Sequence, residues 1–471
     1  MAAAASPAIA QETPHLRIVL RREMPGSAIA PDFTGLSYES AVLSDPAFFA
    51  PDNAELIGFF RQLGAAGVLR IGGNTSEYSV WTPSGGDYAE AIEPHGPDLG
   101  EAPAKKRPVT PRAIQNLRGF VDATGWSVIY NLNLGTADPD TVAEEAAFVA
   151  QTLGPKLTAF QLGNEPDLFS RNGLRSRGYD FADYAAEWRF FAGAVRARVP
   201  DARFAGPDAA GNHQWLEDFA WQFRDQLGLL SHHYYAGGPP SSPSVTAENL
   251  LQSIDPQTDW LAQMIERVCA IAPSVPIRMT EMNSCYGGGK PGVSDTFASA
   301  LWGAEMMYRL AAAGAAGVNF HGGGFGTYSP IVGTRATGFT ARPLYHGMLM
   351  FAQTGPGRLV PIQIDDVRKA PLVSVYGVKS DGGAVKAVLF NKSESGDAIV
   401  TLAPGVDAEI AHLAHLTAPR LASNEDVTFA GASVGAGGAW TPSSTQIIRS
   451  EDGAFAFTLP GPGAVLCSVG G

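Results

Sequence analysis

From Phe33 to about Gly355 the apolar residues of this chain fall into two alternating rhythms. Short apolar blocks at Phe33–Tyr38, Val68–Ile71, Trp126–Leu134, Leu157–Leu162, Phe204–Pro207, Leu229–Tyr235, Ile277–Thr280 and Gly317–Phe320 predict buried strands. Between them, Asn53–Leu63, Pro111–Val121, Thr141–Leu153, Tyr184–Val199, Trp215–Leu227, Trp260–Ala270, Thr296–Ala312 and Pro343–Gln353 place apolar residues at helical spacing. Eight strands alternating with eight helices is the count of a (β/α)8 barrel. The structural alternative is a doubly wound sheet. That fold more often has a phosphate-binding, glycine-rich first turn, and none follows Leu36.

Beyond Gly355 the rhythm changes. Leu372–Val378, Ala384–Phe390, Ile399–Leu402, Leu413–Leu416, Val427–Phe429, Phe455–Leu459 and Ala464–Val469 are short, β-prone and separated by Gly, Pro, Asn and Asp. This predicts an all-β sandwich. At the other end, His15–Arg21 alternates as a strand and stops at Pro25-Gly26, so it is free to pair with the far end of the chain. The expected organisation is residues 14–30 as a strand joining the sandwich, 31–355 as the barrel and 356–471 as the sandwich. A long Pro- and Gly-rich insertion, Thr82 to Thr110, falls in a loop after the second strand, on the face where barrels carry their chemistry.

The strands end in polar residues that a purely structural barrel does not need. They are Ser37-Tyr38-Glu39-Ser40, Gly72-Gly73-Asn74-Thr75, Asn131-Leu132-Asn133, Asn164-Glu165, His232-His233-Tyr234-Tyr235, Glu281-Met282-Asn283-Ser284 and His321-Gly322-Gly323-Gly324. Two of these ends set a glutamate after an apolar run: Gln161-Leu162-Gly163-Asn164-Glu165-Pro166, where Pro166 stops the strand, and Arg278-Met279-Thr280-Glu281. A carboxylate there is costly unless it is hydrogen-bonded or does chemistry. A facing pair of carboxyls is what glycoside hydrolysis requires. In that reading Glu165 is the acid/base, Glu281 the nucleophile, and Asn164 a hydrogen-bond partner of the sugar 2-hydroxyl. The structural alternative is two glutamates paired with Arg or Lys.

Glu39 suits two sugar hydroxyls, or an ordinary salt bridge. Gly73 and Asn74 suit close approach to a sugar, or a tight turn. One of Tyr234 and Tyr235 is expected to donate to Glu281. Strand alternation lets only one face inward, and the sequence leaves open which. Trp81, Trp302 and His321 are expected to be packing or rim residues, and Cys285 a bystander thiol.

Composition narrows the partners. With 471 residues the chain can bury a large core. A formal charge of −13 argues against nucleic acid and other polyanions. The run Lys105-Lys106-Arg107 is a solvated loop segment on this reading. The three cysteines Cys269, Cys285 and Cys467 make neither a disulfide framework nor a zinc spacing, so no metal or cofactor is expected. No apolar segment is long enough to span a bilayer. Ala8-Ile9-Ala10 resembles the end of a signal peptide whose basic and apolar parts are missing, which suggests a secreted or periplasmic protein.

Gly163-Asn164-Glu165-Pro166, His232-His233-Tyr234-Tyr235, Thr280-Glu281-Met282-Asn283 and Tyr286-Gly287-Gly288-Gly289 together resemble the family 79 glycoside hydrolases, the heparanase and β-glucuronidase family. The likeness is strongest to bacterial exo-acting β-glucuronidases. It implies a glucuronic-acid-containing carbohydrate as substrate and a retaining mechanism. The sequence offers a receptor for the sugar carboxylate: the Tyr286 hydroxyl and the N–H groups of Gly287 and Gly288, with Lys290 as a further contact or a solvated side chain. By analogy with the family, Tyr328 approaches the same carboxylate. The competing readings are a heparanase-like endo-β-glucuronidase, a neutral-sugar glycosidase of the same clan and an inactive carbohydrate-binding barrel. The first needs basic subsites that the acidic chain does not cluster. The second leaves the glycine run without a purpose, and the third is at odds with two intact carboxylates.

Overall fold

The computed structural model describes residues 13–470 apart from 25, 86–105, 253, 323, 366–369, 371 and 395. Met1–Ala10, Gly323 and most of the Thr82–Thr110 insertion lie outside the described residues.

Eight parallel strands close into a barrel: β1 (Thr34–Glu39), β2 (Val68–Gly72), β3 (Ser127–Leu132), β4 (Leu157–Leu162), β5 (Phe204–Ala209), β6 (Leu227–Gly237), β7 (Ile277–Cys285) and β8 (Gly317–His321). Each pairs with its sequence neighbour, and β8 returns to β1 through Val318–His321 against Thr34–Ser37. All eight are the apolar blocks predicted from the sequence. Helices cover the outer face, so most strand residues are buried on both sides. Local chemistry sets the helix ends. Thr110 caps Pro111–Thr124, which stops at Gly125 in the left-handed region, and Asp180 with Asp183 forms a capping box on Phe181–Arg198.

Three departures have simple causes. The helix expected at Trp260–Ala270 runs over Ile254–Ile271, because Pro256 sits in its first turn, where no intrahelical N–H is required. A short helix, Ala247–Gln252, precedes it, and a hairpin pairs Ile331–Thr334 with Gly338–Ala341 after β8. Both are too short to show a period.

Polar side chains fill much of the barrel interior. Val68, Ile129, Ala159, Ala205 and Leu229 form one apolar layer. Two residues along the strands, side chains return to the same face, and there Arg70, Gln161, Ser231 and Thr280 are all fully buried. Near the N-terminal ends of the strands, Arg278 donates to Asn319 Oδ1 (2.6 Å) and to the Phe33 carbonyl (3.0 Å). Asn319 in turn donates to Leu36 and Val68 carbonyls.

Ser79–Trp81 pairs with Arg107–Val109 as a second two-stranded sheet, and the other strands form two sheets that share a core. His15–Leu20 lies parallel to Ala398–Ala403 and antiparallel to Ile362–Asp365, so the N-terminal strand joins the C-terminal β region as expected. Leu16, Ile18, Val400 and Phe455 of this sheet pack against Ala387, Leu389, Leu413 and Cys467 of the other. A buried ion pair ties the β region to the barrel: Lys392 donates to Glu305 Oε2 (2.8 Å) on helix Phe297–Ala312, and the Tyr376 hydroxyl donates to Oε1 (3.1 Å).

Candidate active site

Glu165, just beyond the C-terminal end of β4, and Glu281, midway along β7, face each other. One oxygen of each carboxyl and one nitrogen of His233 lie within 4.8 Å of one another. The separation suits a retaining glycosidase, in which the carboxyls are about 5–5.5 Å apart, and leaves too little room for the intervening water of an inverting one. The chain turns sharply to present Glu165: Gly163 has φ 85° and Glu165 itself φ 50°, a left-handed conformation unusual for a residue with a Cβ.

The two carboxyls differ in their surroundings. Glu281 Oε1 accepts from the Tyr235 hydroxyl (2.6 Å), and Oε2 accepts from Arg70 Nη1 (2.6 Å). His321 Nδ1 is 3.6 Å from Oε2 and His233 Nδ1 is 4.0 Å away. Burial by itself would raise this carboxyl, but His321, His233 and Arg70 outweigh it and bring it down to about 2. His233 Nδ1 lies 2.9 Å from Glu165 and favours its charged form, but burial prevails, with Glu281 and Asp167 adding to it, and raises its pKa above the ordinary carboxylate value. Environment has thus pushed two identical side chains in opposite directions.

A third carboxylate explains how His233 is held. Asp208, at the end of β5 with φ 63°, pairs with Arg70 Nη2 and accepts from the Thr280 hydroxyl (2.6 Å) and from Gln161. His233 Nε2 is 3.0 Å from Asp208 Oδ1. Burial disfavours the imidazolium, but Asp208 and Glu281 raise it to about 10. His321 also moves up, against burial, through Glu281 and Glu39. Arg70 and His233 thus sit among the carboxyls of Asp208, Glu281 and Glu39, whose charged forms they or His321 favour. Glu165, His233 and Glu281 are close enough to share a cation, and the protonated imidazole already supplies positive charge there.

Several predicted residues line the same mouth. Asn164 accepts from Arg70 Nη2 (2.7 Å) and donates to Asn74 Oδ1 (3.0 Å). Glu39 accepts from the Thr75 N–H (2.9 Å) and hydroxyl (2.6 Å), while His321 Nε2 lies 3.4 Å from its other oxygen. Gly73, at φ 74°, leaves space that a Cβ would fill, 2.4 Å from the Glu39 carboxyl. Tyr235 connects Glu281 to the predicted receptor, its ring centroid 6.4 Å from that of Tyr286 and 6.2 Å from that of Tyr328. Gly287 and Gly288 have φ of 73° and 86°, and the Gly288 carbonyl accepts from Thr327 (2.6 Å) and Tyr328 (3.3 Å), which joins the two receptor segments.

Other expectations are corrected. Tyr234 is not in the site. His233 and Tyr235 point inward, so alternation along β6 sends Tyr234 into the shell between barrel and helices, where its hydroxyl has no partner among the described residues. His321 is a site residue rather than packing, as its contacts with Glu39 and Glu281 show. The Lys290 ammonium donates to the carbonyls of Ser242 (3.0 Å) and Val245 (2.9 Å) and so braces a loop. Trp302 and Trp81 are buried as packing residues, and all three cysteines are free thiols.

Arg70 and Asp208 were absent from the sequence-based candidates. A charge inside the apolar run Val68-Leu69-Arg70-Ile71, and Asp208 directly after the block Phe204–Pro207, were the available signals.

A (β/α)8 barrel in which two carboxyls, one with a lowered and one with a raised pKa, confront each other from β4 and β7 defines a glycoside hydrolase. The glycosyl hydrolase family 79 C-terminal beta domain matches residues 375–466. A β-glucuronidase of Aspergillus niger is 26% identical over 408 residues, covering 80% of this chain and 70% of that protein. One from Neurospora crassa is 25% identical over 434 residues, covering 79% and 73%. Among solved structures, a 4-O-α-L-rhamnosyl-β-D-glucuronidase from Fusarium oxysporum superposes with a TM-score of 0.78 at 18% identity, over 96% of this chain and 100% of that one, and so shares the fold. Residues 375–466 thus match the family 79 C-terminal domain, and most of the chain is similar to β-glucuronidases.

Proposed function

We propose that the protein is a retaining exo-β-glucuronidase that removes terminal β-D-glucuronic acid through a covalent glycosyl-enzyme intermediate. The observation that carries this reading is that the Glu165 and Glu281 carboxyls approach within 4.8 Å, in surroundings that shift their pKa values in opposite directions. Glu281, ionised and held by Tyr235 and Arg70, attacks the anomeric carbon. Glu165, protonated, delivers its proton to the leaving oxygen. Once Glu281 is esterified its negative charge is gone, so the cations around it draw Glu165 toward its ionised form. Glu165 then accepts the proton of the water that hydrolyses the intermediate.

The binding roles in this reading are as follows. Asn164 is aimed at the 2-hydroxyl, and Glu39 with Gly73 and Asn74 receives further hydroxyls. Tyr286, Gly287, Gly288 and Tyr328 take the sugar carboxylate with neutral donors. The β-glucuronidase relatives support the uronic acid, and the acidic chain favours a terminal residue over a polysulfated internal one.

Initial rates with p-nitrophenyl β-D-glucuronide beside the matching glucoside, xyloside and arabinofuranoside test the reading. Turnover of the glucuronide alone is expected. Preference for a neutral sugar would overturn it, and release of internal fragments from a heparan chain would make the enzyme endo-acting.

A further inference from the structure

We propose that Glu77 is a positioning residue for Glu165: a buried carboxyl that clamps together the ends of three neighbouring barrel strands and fixes the turn from which Glu165 is presented. The inference rests on the acid/base role proposed for Glu165.

Glu77 follows β2 in the short helix Asn74–Tyr78, and its side chain is almost wholly shielded from solvent. Its Oε1 accepts the backbone N–H of Asn164, at the end of β4, and its Oε2 accepts the N–H of Gly135, just beyond β3. Its own carbonyl accepts from the Thr136 hydroxyl (2.6 Å). One residue therefore links the loops that follow β2, β3 and β4.

The grip falls where the chain is most contorted. Asn164 lies between two residues at positive φ, Gly163 and Glu165. Arg70 and Asn74 fix its side chain, but Glu77 alone holds its N–H among the described residues. Without that hydrogen bond the turn is free to relax, and the Glu165 carboxyl swings away from the leaving oxygen. The Asn164 N–H would also be left buried without a partner.

Gly135 is part of the device. Its φ lies outside the left-handed region, so an alanine is sterically acceptable to the backbone, yet a Cβ there would stand 2.7 Å from Glu77 Oε2. Gly135→Ala displaces the carboxyl without removing it.

The test uses Glu77→Gln and Gly135→Ala in the full chain, two routes to the same loss in case one variant fails to fold. Turnover of p-nitrophenyl β-D-glucuronide is compared with that of methyl β-D-glucuronide, whose alkoxide leaves only with a proton. Misplacing a general acid should cost on the order of 100-fold in kcat on the methyl glycoside. The aryl glycoside should lose no more than about threefold, with KM little changed on either. Amide hydrogen exchange, read without substrate, should show the Asn164 N–H exchanging faster in both variants. Equal losses on the two glycosides, or unchanged exchange at Asn164, would overturn the proposal. If the parent enzyme cleaves neither glucuronide, the substrate reading fails, and the exchange measurement alone still decides whether Glu77 holds Asn164.

Discussion

Tyr235→Phe separates the two carboxyls by pH. The phenol donates one hydrogen bond, 2.6 Å to Glu281 Oε1, and the ring is packed beside Tyr286 and Tyr328, so removing the oxygen leaves the fold intact. A hydrogen bond to a buried charged group contributes about 1.5–3 kcal/mol, and about 1.4 kcal/mol corresponds to one pH unit. Losing it should raise Glu281 from about 2 to roughly 3–4.

Glu281 must be ionised to attack, so activity is present above its pKa and falls as pH drops through it. Glu165 must be protonated to donate, so activity falls as pH rises through its raised value. The parent enzyme should therefore peak on the acid side of neutral. In the variant the acid limb of kcat/KM should move up by about one to two pH units, while the basic limb stays in place, because the His233 contact of Glu165 is untouched. A further loss of about tenfold at the optimum is expected from a nucleophile no longer held in line. The assay is kcat/KM for p-nitrophenyl β-D-glucuronide from pH 2 to 8, where the parent rate should hold nearly to the bottom of the range and the variant should show its acid limb within it. An acid limb that does not move, or a basic limb that moves instead, would refute the role given to Tyr235.

Glu281→Ala should abolish hydrolysis, with formate restoring slow turnover to a product of inverted configuration by NMR; turnover that formate does not change would remove Glu281 as nucleophile. Glu165→Ala should spare good leaving groups far more than poor ones, and equal loss on both would make its acid role wrong. Glu145, buried on helix Pro139–Leu153, accepts from the Tyr130 hydroxyl (2.6 Å), and burial raises it from 4.5 to about 7. The folded state thus holds a proton that the unfolded chain releases. The associated stability, about 3 kcal/mol, is present below pH 4.5 and lost as pH rises through 7. Glu145→Gln should flatten that part of the Tm profile between pH 4.5 and 7.5, and identical slopes for variant and parent would contradict it.

The local rules of the chain were enough to reveal the barrel. Strand and helix periods depend on near neighbours, and each of the eight apolar blocks became a barrel strand. Glu165 and Glu281 were legible for the same reason: a carboxyl that ends an apolar run is anomalous wherever the rest of the protein lies. The registry between strands was not legible. Arg70 meets Glu281 across 211 residues and Asp208 across 138. Which of Tyr234 and Tyr235 reaches Glu281 depends on which face of β6 turns inward, and Glu77 meets Asn164 only because three loops converge.

By itself, then, the sequence determined the element order, the burial pattern and the two acidic strand ends, all set by propensity and hydrophobic period. The environment that lowers the pKa of one glutamate and raises that of the other was decided by tertiary structure. It depends on distances of a few ångströms inside a medium of low dielectric, and only closure of the barrel creates them.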